Sequence, residues 1–294
     1  MEVSSSPDLS AALAHEGPLV RGIVLLRLLA AGGRRGVALT QLAKTAGLPN
    51  STVHRLLQQL LSHRLAMQSE SASRYVIGPL AYELGLVAAH QFDIRQLCQP
   101  AMERLAHDAA DTVYLVQRSG TEAVCVDLRQ GPSAMEFTAL QIGSRRPLGL
   151  GAGGLAILAA LPQDEADEIV AVVLGVIERD WRLPAPVLRE SLRTARERHL
   201  AVVENRITAG VTAIGCSFRD SLGNVFGAIT VAGSSARMTR SRTSALEGHL
   251  QDAASAVEQA LNGHQWAQYT AGGSGVAKGH DPVGRPSVSP PGPA

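Results

Sequence analysis

The chain has 294 residues, of which 45% are hydrophobic and 3% aromatic, and its net charge is +1. This length allows two domains of ordinary size, and the composition provides a sizeable core of Leu, Val, Ile and Ala. No run of 18 apolar residues occurs, and no basic segment precedes an apolar one at the start, so the sequence predicts neither a membrane span nor a signal peptide.

Cysteine usage indicates the compartment. Cys98, Cys125 and Cys216 are far apart in the chain, with no CxxC pair and no His at the spacing of a metal ligand. An odd number of cysteines scattered among apolar residues is typical of reduced, buried thiols. The sequence therefore predicts a cytoplasmic protein.

The N-terminal part of the chain predicts helices followed by a hairpin. Residues 1–18 are polar and predict a disordered tail. Apolar residues at helical spacing predict helices over residues 19–31 and 39–46, and a third helix whose apolar stripe starts at Val53. Either Asn50 or Ser51 is expected to cap this third helix, because each side chain can accept from a free N–H of its first turn. Residues 65–68 and 74–77 predict two short strands, and a hairpin in this position is a wing.

Residues 39–58, LTQLAKTAGLPNSTVHRLLQ, have the pattern of a helix-turn-helix. Ala43 occupies the position where two helices cross closely, and Gly47 lies in the turn, where a positive φ is favoured. Val53 and Leu56 direct the apolar side of the second of these helices toward the first. Three classes of position in register favour DNA binding over the alternative, an ordinary helical hairpin in a core.

Positive charge is concentrated in the same region. Between residues 19 and 75, eight Lys or Arg face one acid, so this segment carries +7 and the remainder of the chain −6. Such a segment suits binding to a polyanion. A merely solvated basic face is the alternative, but it would not explain the helix-turn-helix register.

The polar side of the third helix carries side chains of the types that read base edges and phosphates. Arg55 can donate in a fork to guanine and Gln58 can pair with adenine, each contact giving about 1–3 kcal/mol of base discrimination. Arg74 on the wing is predicted to reach a phosphate or the minor groove, and Thr40 a phosphate. The residues predicted to contact DNA are Thr40, Gln41, Asn50, Ser51, Thr52, His54, Arg55, Gln58 and Arg74.

Residues 19–78 thus predict a DNA-binding domain, residues 79–92 a linker helix, and residues 93–262 a second domain. Helices alternate with an antiparallel-looking sheet in the second domain, so the predicted fold class is α+β. Its predicted strands are residues 112–117, 122–128, 135–142, 213–219 and 225–232, and its predicted helices are 93–109, 153–161, 164–174, 186–198 and 239–262. Residues 263–294 are rich in Gly and Pro and predict a disordered tail.

A glycine motif lies in the second domain. Gly149, Gly151 and Gly154 match the dinucleotide fingerprint GxGxxG, but residues 143–147 do not have the pattern of the buried strand that this fingerprint requires. Small residues at the start of a helix leave room and expose N–H donors, where a small carboxylate could dock. An enzyme that binds a phosphorylated cofactor at this loop is the alternative. The sequence shows no group of nucleophile, base and orienting residue, so it predicts no catalytic residue, no metal and no cofactor.

The chain resembles the IclR family of transcriptional regulators. The likeness covers about residues 19–262 and rests on residues 47–60 (GLPNSTVHRLLQQL), 111–116 (DTVYLV), 143–161, 210–215 (GVTAIG) and 227–233 (GAITVAG). It implies a mostly helical, N-terminal winged helix-turn-helix that a linker helix joins to a GAF-like α/β effector-binding domain. It also implies a homodimer or dimer of dimers on double-stranded operator DNA, whose binding a small metabolite alters, commonly an organic or aromatic acid.

The resemblance further implies a pocket for that effector. By the family pattern its lining residues are Gly151, Ala152, Gly153, Ala213 and Thr230, with Leu148 and Thr138 as further candidates. Many members carry an acidic pair before the Gly-Val motif, whereas residues 202–206 of this chain are VVENR, so that one acidic position is apolar. Ala213 stands where some members have Cys. A more apolar pocket and a bulkier or more hydrophobic ligand are therefore expected.

The expected protein is a cytoplasmic, ligand-responsive DNA-binding regulator, a repressor or an activator, with no membrane partner. Symmetric dimers favour a palindromic operator whose half-sites lie about one helical turn, or a multiple of it, apart. An alternative keeps the sensor domain but uses the N-terminal domain only as a protein–protein dimerisation module.

Overall fold

Three helices and a small sheet form the N-terminal unit. The computed structural model describes residues 16–69, 73–92, 94–134 and 140–262. Helices α1 (Pro18–Gly32), α2 (Leu39–Ala46) and α3 (Asn50–Ser62) enclose one apolar core. Strands β1 (Val37–Ala38), β2 (Ala66–Gln68) and β3 (Arg74–Ile77) form an antiparallel sheet in the order β1-β3-β2. The predicted helices and the hairpin of the wing are confirmed, whereas β1 has too few residues for an alternating pattern to reveal it.

The turn between α2 and α3 follows from Gly47 and Pro49. Gly47 has a φ of 62°, in the left-handed region that favours glycine, and it ends α2. The expectation that Asn50 or Ser51 caps α3 is wrong, because both residues are already helical and no described side chain caps this helix. Pro49 occupies the capping position instead, and although it has no side-chain acceptor, its carbonyl accepts from the Val53 N–H at 3.0 Å.

Helix α4 (Pro79–Phe92) connects the wing to a second, larger unit built on one sheet. Six antiparallel strands lie in the order β6-β5-β4-β9-β8-β7. These strands are β4 (Thr112–Ser119), β5 (Glu122–Gln130), β6 (Arg145–Pro147), β7 (Ala201–Glu204), β8 (Val211–Arg219) and β9 (Val225–Ser234). The helices of this unit are α5 (Ile94–Ala109), α6 (Gly151–Ala160), α7 (Gln163–Trp181), α8 (Ala185–Arg198) and α9 (Arg240–Asn262).

Helices cover both faces of this sheet, and each face has its own apolar core. α5 and α9 pack together over one face, around buried side chains such as Met102 and Leu250. α6, α7 and α8 cover the other face, where Leu155, Ile157 and Leu188 are buried. The α+β fold class predicted from the sequence, a winged helix-turn-helix joined by a helix to a sheet domain, is confirmed.

Short elements account for most differences from the predicted order. β6 and β7 have three and four residues, too few for alternation to identify them, and neither is predicted from the sequence. The predicted strand over residues 135–142 is absent from residues 140–142, where the Gln141 N–H donates to Ser144 Oγ in a turn. Residues 135–139 lie outside the described residues. α7 continues past the predicted end at residue 174. Gly175, which the sequence suggests as the end of the helix, lies on its exposed side and does not interrupt it.

Within the described ranges, no helix is both long and apolar enough to cross a membrane. The predicted tails are residues 1–18 and 263–294, of which residues 1–15 and 263–294 lie outside the described residues. At the end of the first tail, Pro18 is already the first residue of α1. Cys98 and Cys125 are buried and Cys216 is partly buried, and all three are free thiols. Burial raises the pKa of Cys98 and Cys125 to about 12 and that of Cys216 to about 11, so these thiols stay protonated at neutral pH.

Candidate functional site

The face of α3 that points away from the core is polar. Val53, Leu56 and Leu57 are at most 3% exposed and pack against α1 and α2. At 100° per residue, Arg55 lies about 160° around the helix from Val53 and from Leu57. Arg55 is exposed, so its guanidinium is available on the side of α3 that a DNA groove would meet.

Most residues predicted to contact DNA lie on the surface of α2 and α3. Asn50, Ser51, His54, Arg55 and Gln58 are exposed on α3, and Thr52 is half-buried at its edge. In the first turn of α2, Thr40 is exposed and Gln41 is half-buried. Residues 18–62 contain no Asp or Glu, so these helices present no negative charge that would repel phosphates.

Arg74 is engaged within the wing. Its Nε and Nη2 donate to the Gly36 carbonyl at 3.2 and 3.0 Å, which fastens the base of the hairpin to the turn before β1. Gly36 has a φ of 64°, and a Cβ there would lie 2.9 Å from the Tyr75 carbonyl. Arg74 therefore holds the base of the wing, and the remaining N–H groups of its guanidinium could still meet a phosphate, so its contact with DNA stays a prediction.

The end of α3 and the start of α4 are joined at a close contact, here called the wing–linker junction, formed by Arg64, Leu65, Gly78, Leu80 and Glu83. The Leu80 N–H donates to the Arg64 carbonyl at 3.0 Å, and the Gly78 N–H donates to the Leu65 carbonyl at 2.9 Å. The Arg64 guanidinium also pairs with Glu83 at 2.6 Å. A Cβ at Gly78 would lie 2.2 Å from the Arg64 carbonyl oxygen, so this approach requires glycine. The linker helix therefore starts directly on the end of the candidate recognition helix.

A cavity lies in the second unit, between the start of α6 and the sheet. Its water-accessible volume is about 80 Å³, which is enough for several water molecules and hence for a small organic molecule. Its walls are mostly apolar. The described lining residues are Tyr114, Val116, Ala123, Cys125, Leu140, Arg146, Leu150, Gly151, Ala152, Gly153, Gly154, Val203, Ile207, Thr208, Val211, Ala213, Thr230 and Ala232.

Small residues let α6 begin directly on the sheet. A Cβ at Gly215 of β8 would lie 2.8 Å from the Ala152 carbonyl oxygen, and one at Gly153 would lie 3.0 Å from a Val116 methyl group. Gly151, the first residue of α6, has a φ of 72°. These glycines allow the helix start to form one wall of the cavity.

The cavity brings together five of the seven residues proposed for effector binding. Gly151, Ala152, Gly153, Ala213 and Thr230 all line it. Leu148 is fully buried and does not line it. Thr138 lies outside the described residues. Val203, in the segment that the sequence identifies as unusually apolar, is also part of the wall.

Arg146 and Tyr114 are lining residues that the sequence reasoning misses. The Arg146 guanidinium carbon lies 5.3 Å from the centre of the Trp181 ring, in a cation–π contact. Burial lowers the pKa of Arg146 and raises that of Tyr114 from their ordinary values. The sequence does not show which of Arg145 and Arg146 enters the cavity, because the strand that holds them has only three residues; once β6 forms, neighbouring residues point to opposite faces. Arg145 accordingly pairs with Glu122 at 2.8 Å, while Arg146 enters the cavity.

The surroundings of the GxGxxG motif differ from those of a dinucleotide site. The motif follows β6, a strand of three residues at the edge of the sheet that pairs antiparallel with β5. A dinucleotide fingerprint instead follows a buried parallel strand. In the described part of the chain, no three His, Cys, Asp or Glu side chains cluster as metal ligands would.

Comparisons with known proteins match both units. A family model described as the C-terminal part of the bacterial transcriptional regulator IclR matches residues 86–259, and one for the IclR helix-turn-helix domain matches residues 18–70. The transcriptional repressor AllR of Klebsiella pneumoniae is 30% identical over 225 residues, which cover 76% of this chain and 82% of AllR.

Solved structures share the fold. A putative IclR regulator from Silicibacter sp. superposes with a TM-score of 0.72 at 21% identity, covering 84% of this chain and 97% of that one. An IclR homologue from Microbacterium hydrocarbonoxydans, solved in complex with 4-hydroxybenzoate, gives a TM-score of 0.64 at 19% identity, covering 84% and 100%.

Proposed function

The chain belongs to the IclR family of bacterial transcriptional regulators, and from this membership we propose that it binds a palindromic operator as a homodimer or dimer of dimers and responds to a small organic or aromatic acid. The family consists of DNA-binding regulators with an effector-binding domain, not of enzymes. The observation that carries the proposal is the combination, in one chain, of an exposed polar α3 face with a cavity at the start of α6.

The proposed DNA binding rests on α3. Its exposed face carries Ser51, Arg55 and Gln58, opposite a buried apolar stripe, as in a recognition helix. The N-terminal unit is basic and contains no acid from residue 18 to residue 62. We place this face in the major groove, with Thr40 of α2 at the phosphate backbone.

The proposed dimer rests on exposed apolar side chains. Tyr82, Leu84, Leu86 and Val87 of α4 are between 50 and 68% exposed, on more than one side of the helix. Leu19 and Ile23 of α1, four residues apart on one face, are 77 and 46% exposed. Exposed apolar surface of this kind is typical of an interface, and a second copy of this chain would pair two recognition helices for a palindrome.

A charge in this apolar surface is expected to weaken the dimer. Val87→Glu would place a carboxylate where the proposed interface is buried, so we expect the dimer dissociation constant to rise about tenfold or more. Sedimentation velocity over a concentration series measures this constant. The matched control is Val172→Glu on α7, where the same residue is 66% exposed, compared with 65% for Val87. Equal dissociation constants for the two variants would place the interface elsewhere.

The proposed effector binding rests on the cavity. Its apolar walls suit an aliphatic or aromatic body, and the start of α6 offers free N–H donors for a carboxylate. The related protein from Microbacterium hydrocarbonoxydans, which has the same fold, was solved with 4-hydroxybenzoate, a small aromatic acid. We infer that the effector of this chain belongs to that chemical class and occupies this cavity.

Selection of bound duplexes from a random pool, repeated with a panel of small carboxylates, tests the proposed function. We expect enrichment of one palindromic motif, and a change in its enrichment with at least one acid. Enrichment of no motif would favour the N-terminal unit as a dimerisation module only. Enrichment of an isolated half-site would contradict symmetric binding, and a nucleotide retained in stoichiometric amount by the purified protein would favour the enzyme alternative.

A further inference from the structure

We propose that the hydroxyl groups of Tyr114 and Thr230 bind the carboxylate of the effector together with the first N–H groups of α6, and that the body of the effector lies against β7 and β8. Because the cavity is taken as the effector site, this inference rests on the proposed function. It narrows the effector to a monocarboxylate bound in one orientation. It also assigns specificity to Tyr114, which is outside the pocket positions that the family resemblance implies.

Tyr114 and Thr230 bring two hydroxyl groups to the cavity. The two residues lie directly opposite each other on β4 and β9, so their side chains share one face of the sheet. Both line the cavity, and each is only 5% exposed. Among the described residues, neither hydroxyl has a hydrogen-bond partner. Hydroxyl groups in an enclosed and mostly apolar cavity are satisfied by water or by a ligand, so this pair is placed to bind a polar group there.

Thr230 lies beside the start of α6. A Cβ at Gly153, the third residue of the helix, would lie 3.2 Å from the methyl carbon of Thr230. Leu150 occupies the capping position, and no described side chain caps α6. The first N–H groups of a helix have no acceptor within the helix and attract anions. One carboxylate can therefore accept from these N–H groups through one oxygen and from the two hydroxyl groups through the other.

Tyr114 is a hydrogen-bond donor at neutral pH. Burial raises the pKa of its phenol above the ordinary value, so the proton stays on the oxygen. A carboxylate accepts from such a group in a charge-assisted hydrogen bond, which is stronger than one between neutral partners. Thr230 also carries one O–H donor. Since β4 and β9 are neighbours inside the sheet, the backbone holds both side chains in fixed positions.

The other side of the cavity is mostly apolar. Across the sheet, β9 is followed by β8 and β7. These two strands contribute Val203, Val211 and Ala213 to the wall, and Ile207 comes from the segment between them. Thr208, which is half-buried, is the polar exception in that segment. A second carboxylate would be buried against these apolar side chains at a large cost, so a ligand with its carboxylate at the hydroxyl pair has an uncharged far end.

Titration calorimetry of the full chain with a small panel of acids tests the inference. The probes are 4-methylbenzoate, 4-hydroxybenzoate, hexanoate and, as the dicarboxylate, terephthalate. We expect wild type to bind at least one of the monocarboxylates tenfold or more tightly than terephthalate. Tyr114→Phe and Thr230→Val each remove one hydroxyl and keep the shape of the side chain, and each should weaken binding of that monocarboxylate about tenfold.

Three further variants separate ligand binding from a structural role. Thr112→Val, on β4, and Tyr75→Phe, in the N-terminal unit, are matched controls that should bind like wild type. Thr112 is 3% and Tyr75 6% exposed, and neither lines the cavity. Val203→Thr adds a hydroxyl at the apolar side, so it should shift the preference several-fold from 4-methylbenzoate toward 4-hydroxybenzoate. Tyr114→Phe should leave this preference unchanged, because it acts on the carboxylate that both acids share.

Three results would overturn the inference. The first is that wild type binds none of the monocarboxylates. The second is that Tyr114→Phe and Thr230→Val bind them like wild type. The third is that Tyr114→Phe weakens binding of 4-hydroxybenzoate and not of 4-methylbenzoate, because the hydroxyl pair would then bind the opposite end of the ligand.

The duplex selection distinguishes failure of this inference from failure of the proposed function. Tyr114→Phe should enrich the same duplex as wild type, with a response to the acid that requires about tenfold more of it. A chain whose palindrome responds to an acid equally in wild type and in Tyr114→Phe retains the proposed function and refutes the role of the hydroxyl pair. A chain that binds the acid through this pair but enriches no duplex refutes the proposed operator binding.

Discussion

Replacing Arg55 with alanine is expected to weaken binding to the selected operator by about 5- to 150-fold, which corresponds to the roughly 1–3 kcal/mol of a bidentate contact with guanine. Arg55 lies opposite the buried stripe of α3 and is exposed, so its loss changes the surface and not the core. Base discrimination should also relax at one position of each half-site, because the lost hydrogen bonds read one base pair.

Fluorescence anisotropy at fixed salt concentration measures this affinity, and repeated duplex selection measures the base preference. Arg189→Ala is the matched control, since Arg189 is exposed on α8 of the effector domain, outside the proposed interface. This control should bind like wild type. Unchanged operator affinity in the Arg55→Ala variant would mean that α3 does not enter the groove in the proposed orientation.

Replacing Gly78 with alanine is expected to destabilise the N-terminal unit by roughly 3 kcal/mol, at the upper end of the usual cost of overpacking. The added Cβ would lie 2.2 Å from the Arg64 carbonyl oxygen and 2.8 Å from the Ala66 nitrogen. Both are backbone atoms, which cannot rotate away as a side chain would. The wing–linker junction must therefore open, and with it the hydrogen bonds that Gly78 and Leu80 donate to residues after α3.

Urea unfolding followed by circular dichroism measures the stability, and hydrogen exchange at the Gly78 and Leu80 amides reports opening of the junction. Gly175→Ala is the control for the same chemical change, because nothing lies within 4 Å of a Cβ at Gly175 in the middle of α7. The control should be more stable than wild type by about 0.5–1 kcal/mol. If Gly78→Ala behaved like this control, the junction would be looser than the contacts indicate.

The N-terminal unit could be predicted from the sequence because its signals are local. Ala43, Gly47, Val53 and Leu56 lie within fourteen residues of one another and define two helices and their turn. The hydrogen bond of Arg74 could not be predicted in the same way, because its acceptor, the Gly36 carbonyl, is 38 residues away along the chain. A basic residue on a wing has the same sequence signature whether it holds the hairpin or contacts a phosphate.

The cavity illustrates the same division between local and distant contacts. The family resemblance indicates five of its lining residues, three at the start of α6 and one each on β8 and β9. Arg146 is not indicated by the resemblance. The sequence does not distinguish Arg145 from Arg146, and only the pairing of β6 with β5 places Arg146 opposite Ala123. Three residues of edge strand give no periodicity, so the charge of the cavity becomes visible only in the folded sheet.

The wing–linker junction has a mechanical consequence. Helix α3 has 13 residues and is therefore about 20 Å long at 1.5 Å per residue. The contact between Arg64 and Gly78 joins its end to the linker helix, so α3 would rotate about this point. If the linker helix turned by about 10° with this contact intact, the N-terminal end of α3 would move by about 3.5 Å, which is close to the rise of one base pair. In the proposed dimer on a palindromic operator, a small angular change at one end of α4 would thus move the two recognition helices out of register with successive grooves of the DNA.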